Sequence, residues 1–248
     1  MGRPGRPAAY GGPMASDDPG TVLLDVDGTL VDTVYLHVSA WAASFARVGL
    51  VVPSHVLHSA IGMGGDRLVA HVTNDATEDE LGDTIREGHL DRFRGSLGDV
   101  RPTRGAEELI RELRQRGHQL AVASSADPDL TDDLLAIAGV DGLVSTVAHS
   151  GDVDASKPHP EVVETSADRA GGSPLLMLGD APWDARAAAD AGVPCVGVRT
   201  GGFGDPTLHE AGMVRVLEDP QEVLEQWPAL EQQLTARLPH RAHGPGGR

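Results

Sequence analysis

Four stretches of the chain are apolar almost without interruption and end abruptly in polar or turn residues: TVLLDV at 21–26, QLAVASS at 119–125, PLLMLGD at 174–180 and PCVGVRT at 194–200. Continuous rather than alternating apolarity predicts parallel strands covered on both faces. Helical patterns lie between them. GAEELIRELRQRGH carries Leu109, Ile110 and Leu113 on one face and stops at Gly117, and DARAAADAGVP stops at Gly192 and Pro194. Strand, helix and strand repeated in this way predict an α/β fold built on a doubly wound parallel sheet.

The interval from Val26 to Gln119 is far longer than one crossover needs, and its pattern is helical. Trp41, Phe45 and Val48 recur at helical spacing, followed by DRLVAHV and TEDELGDTIREGHLDRF. A helical insertion of this size directly after the first strand predicts a cap over residues 34–100, on a core made of 20–33 and 101–235. The acidic run ATEDELGD inside it reads as a solvated helix start. Residues 1–19, rich in Gly, Pro and Arg, and the tail 236–248 lack an apolar pattern and are expected to be disordered.

Composition narrows the function classes. A chain of 248 residues, 40% apolar, has enough material for one sizeable core and a small second domain. No apolar run approaches the roughly 20 residues of a membrane helix, and the opening segment lacks the apolar centre of a signal peptide. The expectation is a cytoplasmic protein with no membrane partner. The single cysteine, Cys195 in VPCVGV, excludes an intrachain disulfide and is expected to be a core thiol. A net charge of -17 argues against a nucleic-acid surface, which needs Lys and Arg to displace counterions. A small anionic substrate remains possible, provided that the chain builds a local positive centre. The oligomeric state is not legible.

In a doubly wound sheet, ligands bind beyond the carboxyl ends of the strands. The residues at those ends are Asp25 and Asp27, then Ser124 and Ser125, then Asp180 and Asp184, with Lys157 in SKPHP at the head of a helix. Taken alone, Ser124 reads as a turn hydroxyl, Lys157 as a solvated charge and Asp180 as a helix cap. Together they converge on one edge. Carboxylates so close cannot all ionise unless a cation neutralises them, and Mg²⁺ is the hard cation that oxygen ligands and phosphate share.

DVDGTLVDT, VASSA, SKPHP and LGDAPWD, in that order, resemble the four motifs of the haloacid dehalogenase superfamily, specifically its phosphatase-type members with a Rossmann-like core and a helical C1-type cap. The resemblance implies a Mg²⁺-dependent phosphatase acting on a small phosphorylated metabolite, a sugar phosphate or a phosphoglycolate-like ester, through an aspartyl-phosphate. It assigns Asp25 as nucleophile and Asp27 as the acid and base. Mg²⁺ is expected on Asp25, Asp180 and the Asp27 carbonyl. Ser124, Ser125 and Lys157 are expected to hold the phosphoryl oxygens. Gly28 is expected to permit the tight backbone, and Asp184 to orient Lys157 or a metal-bound water. His37 and Arg67 are the cap candidates for substrate contact. The competing reading within the superfamily is a β-phosphoglucomutase-like phosphosugar mutase. Those mutases commonly carry a small residue followed by arginine in the first cap loop, whereas this chain has Gly64 and Gly65 there, with Arg67 two residues on. Aromatic residues are only 3% of the chain, so stacking on a nucleobase would fall chiefly to Tyr35, Trp41 and Phe45. The glycine-rich TGGFG at 200–204 reads as a plain turn.

Overall fold

The computed structural model describes residues 19–124, 126–144, 146–148, 157, 160–171 and 173–237. Ser125, residues 1–18 of the expected arm and the tail beyond 237 lie outside the described residues.

Six strands form one parallel sheet: β1 (Thr21–Leu24), β2 (Gln119–Ala123), β3 (Thr146–Ala148), β4 (Pro174–Gly179), β5 (Cys195–Val198) and β6 (Arg215–Leu217). Their order is β3-β2-β1-β4-β5-β6. β1, β2, β4 and β5 are the four apolar runs of the sequence. β3 and β6 are edge strands of three residues each, too short to leave an apolar run.

Successive residues of each inner strand face opposite layers. Val22 and Leu24, Leu120 and Val122, Leu176 and Leu178 join the cluster built with α5 (Ala106–Gln115), α6 (Pro128–Ile137) and α10 (Pro220–Arg237). Leu23, Ala121, Ala123 and Met177 face α7 (Glu161–Ala170), α8 (Pro182–Asp190) and α9 (Asp205–Ala211). Both faces of the inner strands are therefore apolar, which is why the sequence shows runs and no alternation. Burial of each such Leu, Val or Met stabilises the fold by about 1.5–3 kcal/mol. Cys195 lies within the second cluster.

The first four of the helices between β1 and β2 stand apart from α5: α1 (Val34–Arg47), α2 (Ser54–Ala60), α3 (Gly65–Val72) and α4 (Asp75–Arg94). They enclose a separate apolar cluster that includes Val34, Val38, Trp41, Phe45, Leu57, Leu68 and Ile85. The start of α4 is a solvated helix end, with Asp75, Asp79 and Glu80 exposed and the Asn74 side chain accepting from the Thr77 amide at 3.0 Å. Polar contacts tie these helices to the sheet: Trp183 Nε1 donates to the Ser59 carbonyl (3.1 Å), and His58 Nε2 to the Gly201 carbonyl (2.9 Å). Among the described residues no helix is long and apolar enough to cross a membrane.

Candidate active site

The sheet order reverses at β1: β2 and β3 lie on one side of it, β4 to β6 on the other. Such a switch point opens a crevice at the carboxyl ends of the two neighbouring strands. β1 is followed directly by Asp25, whose amide still donates to the Leu178 carbonyl of β4 at 2.9 Å, and β4 directly by Asp180. Two acids are thus delivered to one crevice by adjacent parallel strands.

Beyond Asp25 the chain stops being extended. The amides of Thr29, Leu30 and Val31 all donate to the Val26 carbonyl, a single helical turn. Gly28, at φ 77°, occupies the left-handed region inside it. In a continued strand Asp25 and Asp27 would share one side. The turn instead sends them to different neighbours.

Asp25 Oδ1 accepts from Lys157 Nζ, and Lys157 Nζ also donates to Asp184 Oδ1 at 2.8 Å. Thr29 Oγ1 reaches Asp180 Oδ1 at 3.0 Å, and Asp25 Oδ2 more loosely at 3.4 Å. Asp184, in the first turn of α8, reaches back with Oδ2 to the amides of Asp180 (3.1 Å) and Ala181 (3.0 Å). Those amides form the positive end of the helix. Asp25, Lys157, Asp180 and Asp184 are all buried. The backbone is cut to fit them: a Cβ on Gly201 would collide with the Asp180 carboxylate, so the turn after β5 can pass this close only as glycine.

The electrostatics follow from that burial. Asp25, Asp180 and Asp184 each offer an oxygen within 4.8 Å of the others. Three charges at that range repel by about 3–4 kcal/mol per pair at an effective dielectric of ~20, a total comparable with the ~5–15 kcal/mol stability of a whole domain. One ammonium cannot offset three carboxylates. Burial accordingly pushes the Asp25 carboxyl up to about 7 against the pull of Lys157, with Asp184 and Asp27 adding to the rise. Asp180 is held well above the ordinary carboxyl range by burial, then by Asp25 and Asp184. Lys157 is itself raised, because its two acid partners outweigh the cost of its burial. Excess negative charge on hard oxygens suits a divalent cation. Asp184 accepts on both oxygens at close range, whereas Oδ2 of Asp25 is only loosely approached by Thr29 and Asp180 accepts from Thr29 on Oδ1.

Asp27 has a different setting. Its Oδ1 accepts from Thr33 Oγ1 at 2.6 Å and from His37 Nε2 at 3.0 Å. Burial alone would raise this carboxyl, but the His37 charge and the bonds from His37 and Thr33 together hold it below the ordinary value. His37 is buried on α1, with its ring flat against Phe93 at 3.7 Å, and its Nδ1 lies 2.9 Å from His89 Nε2 on α4.

The haloacid dehalogenase-like hydrolase family matches this chain over residues 19–192, from the strand carrying Asp25 to the helix carrying Asp184. The chain belongs to that family. Among curated relatives, validoxylamine A 7'-phosphate phosphatase of Streptomyces hygroscopicus subsp. limoneus is 31% identical over 83% of this chain and 95% of its own. Phosphoglycolate phosphatase of Neisseria gonorrhoeae is 30% identical over 75% and 82%. Among solved structures, a hydrolase from Pseudomonas syringae superposes with a TM-score of 0.80 at 28% identity, covering 85% of this chain and 98% of that one.

Within this haloacid dehalogenase-like frame, the structure brings together Asp25, Lys157, Asp180 and Asp184, with Gly28 in the turn between the acids. Ser124 is buried immediately after β2, where its Oγ accepts from the Ala126 amide at 3.1 Å and keeps its own hydrogen to donate. Ser125 lies outside the described residues. His37 comes to Asp27, with both ring nitrogens engaged by protein groups and not held open to a substrate. Arg67 is exposed on α3, and no contact joins it to the acids. Sequence reasoning passed over Thr29, Thr33, His89, Thr200 and Gly201. The hydroxyl of Thr200 donates to the Gly28 carbonyl and thereby links the turn after β5 to the turn after β1. Thr29 and Thr33 were open to detection, since both stand in DVDGTLVDT. His89 is remote in sequence and carried no local signal, and Thr200 and Gly201 stood in TGGFG, which reads only as a turn.

Proposed function

We propose that the chain is a Mg²⁺-dependent phosphatase of small phosphomonoesters, and that the observation carrying this reading is the buried Asp25–Lys157–Asp184 chain beside Asp180 at the switch point of the sheet. Asp25 and Asp180, with the backbone carbonyl of Asp27, would hold the cation. When bound, Mg²⁺ supplies charge neutralisation for an entering phosphate among these acids. The remaining steps belong to the protein's own groups. An Asp25 oxygen forms a bond to phosphorus as the bond from phosphorus to the ester oxygen breaks, and Asp27, which takes the proton carried in by the ester monoanion, gives it to that oxygen. In the second half Asp27 takes a proton from water, the water oxygen bonds to phosphorus, and the Asp25 acyl-phosphate bond breaks. Asp25 is thereby regenerated and inorganic phosphate released.

Lys157 and the Ser124 hydroxyl, with Ser125 beside it, neutralise and donate to the phosphoryl oxygens during transfer. Asp184 holds the Lys157 ammonium in place. The helices α1 to α4 act as the cap that closes over the leaving group.

A small polyol phosphate or a phosphoglycolate-like acid suits the site better than a nucleotide. Trp41 and Phe45 are enclosed in the helical cluster, which leaves only the exposed Tyr35, one face of it stacked on His58 at 5.3 Å, among the three aromatic candidates for stacking on a base. The relatives named above are called phosphatases of such small esters, which supports the reading. The exposed position of Arg67 does nothing to favour a mutase, which must grip a second phosphate. Incubation with a panel of sugar phosphates, phosphoglycolate and nucleotides, with Mg²⁺ and with excess chelator, tests the proposal. Release of phosphate from the first two groups only in the presence of Mg²⁺ is expected. Full turnover in chelator, or none on any ester, would overturn it.

A further inference from the structure

The geometry points to His89, on α4, as a positioning residue for Asp27, acting through His37; this inference rests on the phosphatase reading above. The observations are geometric. Nε2 of His37 lies 3.0 Å from Asp27 Oδ1, Nδ1 of the same ring lies 2.9 Å from His89 Nε2, and Thr33 occupies Asp27 Oδ1 from the other side. The two rings are clamped. His37 stacks on Phe93 at 3.7 Å with 5° between planes, and His89 stacks on Trp41 at 3.9 Å with 10° between planes. A ring held by stacking alone can still turn in its own plane. The hydrogen bonds fix which nitrogen faces the acid.

The chemistry of imidazole makes His89 more than packing. To bond a carboxylate, His37 must carry hydrogen on Nε2. A neutral His37 could place its one hydrogen on Nδ1 instead and lose Asp27. With His89 Nε2–H donating to Nδ1, that tautomer is blocked. If His37 carries both hydrogens, Nδ1–H donates to a neutral His89 and Nε2–H is again on the acid. Burial, followed by the His37 charge, holds His89 well below the ordinary imidazole value, as a neutral ring able to donate or accept. Either way the pair keeps Oδ1 of Asp27 occupied and leaves Oδ2 for proton exchange with the ester oxygen. The arrangement also makes the orientation of the acid depend on α4, three helices away along the chain.

His89→Phe keeps the ring on Trp41 and removes the bond, whereas His89→Gln keeps a hydrogen-bonding end and removes the ring. The measurement is the single-turnover rate of leaving-group release, the half-reaction that phosphorylates Asp25, for an alkyl phosphate, which needs a proton on its leaving oxygen, against p-nitrophenyl phosphate, which does not; the later hydrolysis of the acyl-phosphate is common to both esters. His89→Phe should lose about tenfold or more on the alkyl ester, a fraction of the ~10²–10⁴ that acid–base catalysis supplies, and less than about threefold on the aryl ester. His89→Gln should recover most of the difference. Equal losses on both esters, no loss on either, or a Gln variant as poor as the Phe variant would overturn the inference. Nitrogen-15 NMR of the imidazoles in Mg²⁺-containing buffer gives a readout independent of turnover. His37 Nε2 should be protonated in the wild type and mixed in His89→Phe. An unchanged His37 tautomer in that variant, or mixed tautomers in the wild type should the variants not fold, would equally refute it. A wild type that hydrolyses no ester would refute the phosphatase reading and leave the NMR result to decide the His89–His37 link.

Discussion

Asp25 and Asp27 stand two residues apart, yet they are supported by different parts of the molecule. Asp25 is carried by the rigid sheet: its backbone is bonded to β4, and its carboxylate to Lys157, beside Asp184 and Asp180 at other strand and helix ends. Asp27 is carried by the inserted helices, through Thr33 at the head of α1, His37 within it and His89 on α4. Their carboxyls are pushed in opposite directions, Asp25 up to about 7 by burial among acids and Asp27 down by His37 and Thr33, which together outweigh burial. The lesson is a division of labour. On the proposed mechanism, the group that attacks phosphorus is anchored in the core, and the group that serves the leaving alcohol is anchored in the inserted helices.

The sharpest break in that comparison is at Asp25. Asp25→Asn would remove the proposed attacking oxygen without changing shape, and phosphatase turnover should fall on the order of 10⁴-fold or more if Asp25 is a covalent nucleophile. Circular dichroism should remain that of the wild type, and only the wild type should yield a trapped acyl-phosphate on rapid quenching. Asn with near-normal steady-state rates would remove Asp25 from its role.

Asp27→Asn tests the other arm. Loss of about 10²–10⁴ in kcat is expected on alkyl phosphates, with slow labelling of Asp25 still seen from an aryl ester and the label persisting because no base activates water. Prompt turnover of that label would show that another group serves as the base.

Lys157→Met probes how far the core cluster depends on its own cation. Leaving buried carboxylates unpaired should cost about 3–5 kcal/mol of stability in metal-free protein near pH 7.5, read from denaturant unfolding. The cost should shrink at pH 5, where Asp25 and Asp180 take up protons. An identical loss at both values would mean that the lysine acts through packing.

The pH dependence of the metal-free wild type is a smaller effect of the same origin. Asp25 is raised to about 7 in the folded state, so between the ordinary carboxyl value of about 4 and 7 the native protein holds more protons than the unfolded chain, and stability falls as pH rises through that window. Asp180, raised for the same reason, adds to the fall. Added Mg²⁺ should therefore raise the melting temperature more at pH 8 than at pH 5. A larger shift at pH 5 would contradict metal binding by these acids. The smallest effect is expected at the exposed Arg67, where Arg67→Ala should change stability by no more than about 0.5 kcal/mol and leave KM for a monophosphate unchanged. A large rise in KM would return Arg67 to the substrate.

The acids of the core arm were legible because each lies at the end of an apolar run. A buried strand that finishes in Asp, a lysine in SKPHP and LGDAPWD are local patterns, and parallel topology alone takes their ends to one edge. The cap arm was legible only as helices. His37 stood out by its place in DTVYLHVSAW, but it was expected to face substrate and instead bonds Asp27 and His89. Nothing around His89 in REGHLDRF marks it as a partner of a residue on another helix. β3 and β6 were missed for a related reason: three residues on a sheet edge need little apolar pattern to be held by one neighbour.

By itself, then, the sequence determined the doubly wound core, the helical insertion after β1 and the identities of the converging acids and lysine, since hydrophobic period and strand-end chemistry are local properties of the chain. Only the tertiary structure decided which oxygen bonds which donor. Asp184 faces Lys157 and two amides, Gly201 must lack a side chain beside Asp180, and His37 turns inward to Asp27. Those choices depend on close packing between segments far apart in sequence, where displacements of about 1 Å make or break a hydrogen bond, and no periodicity records them.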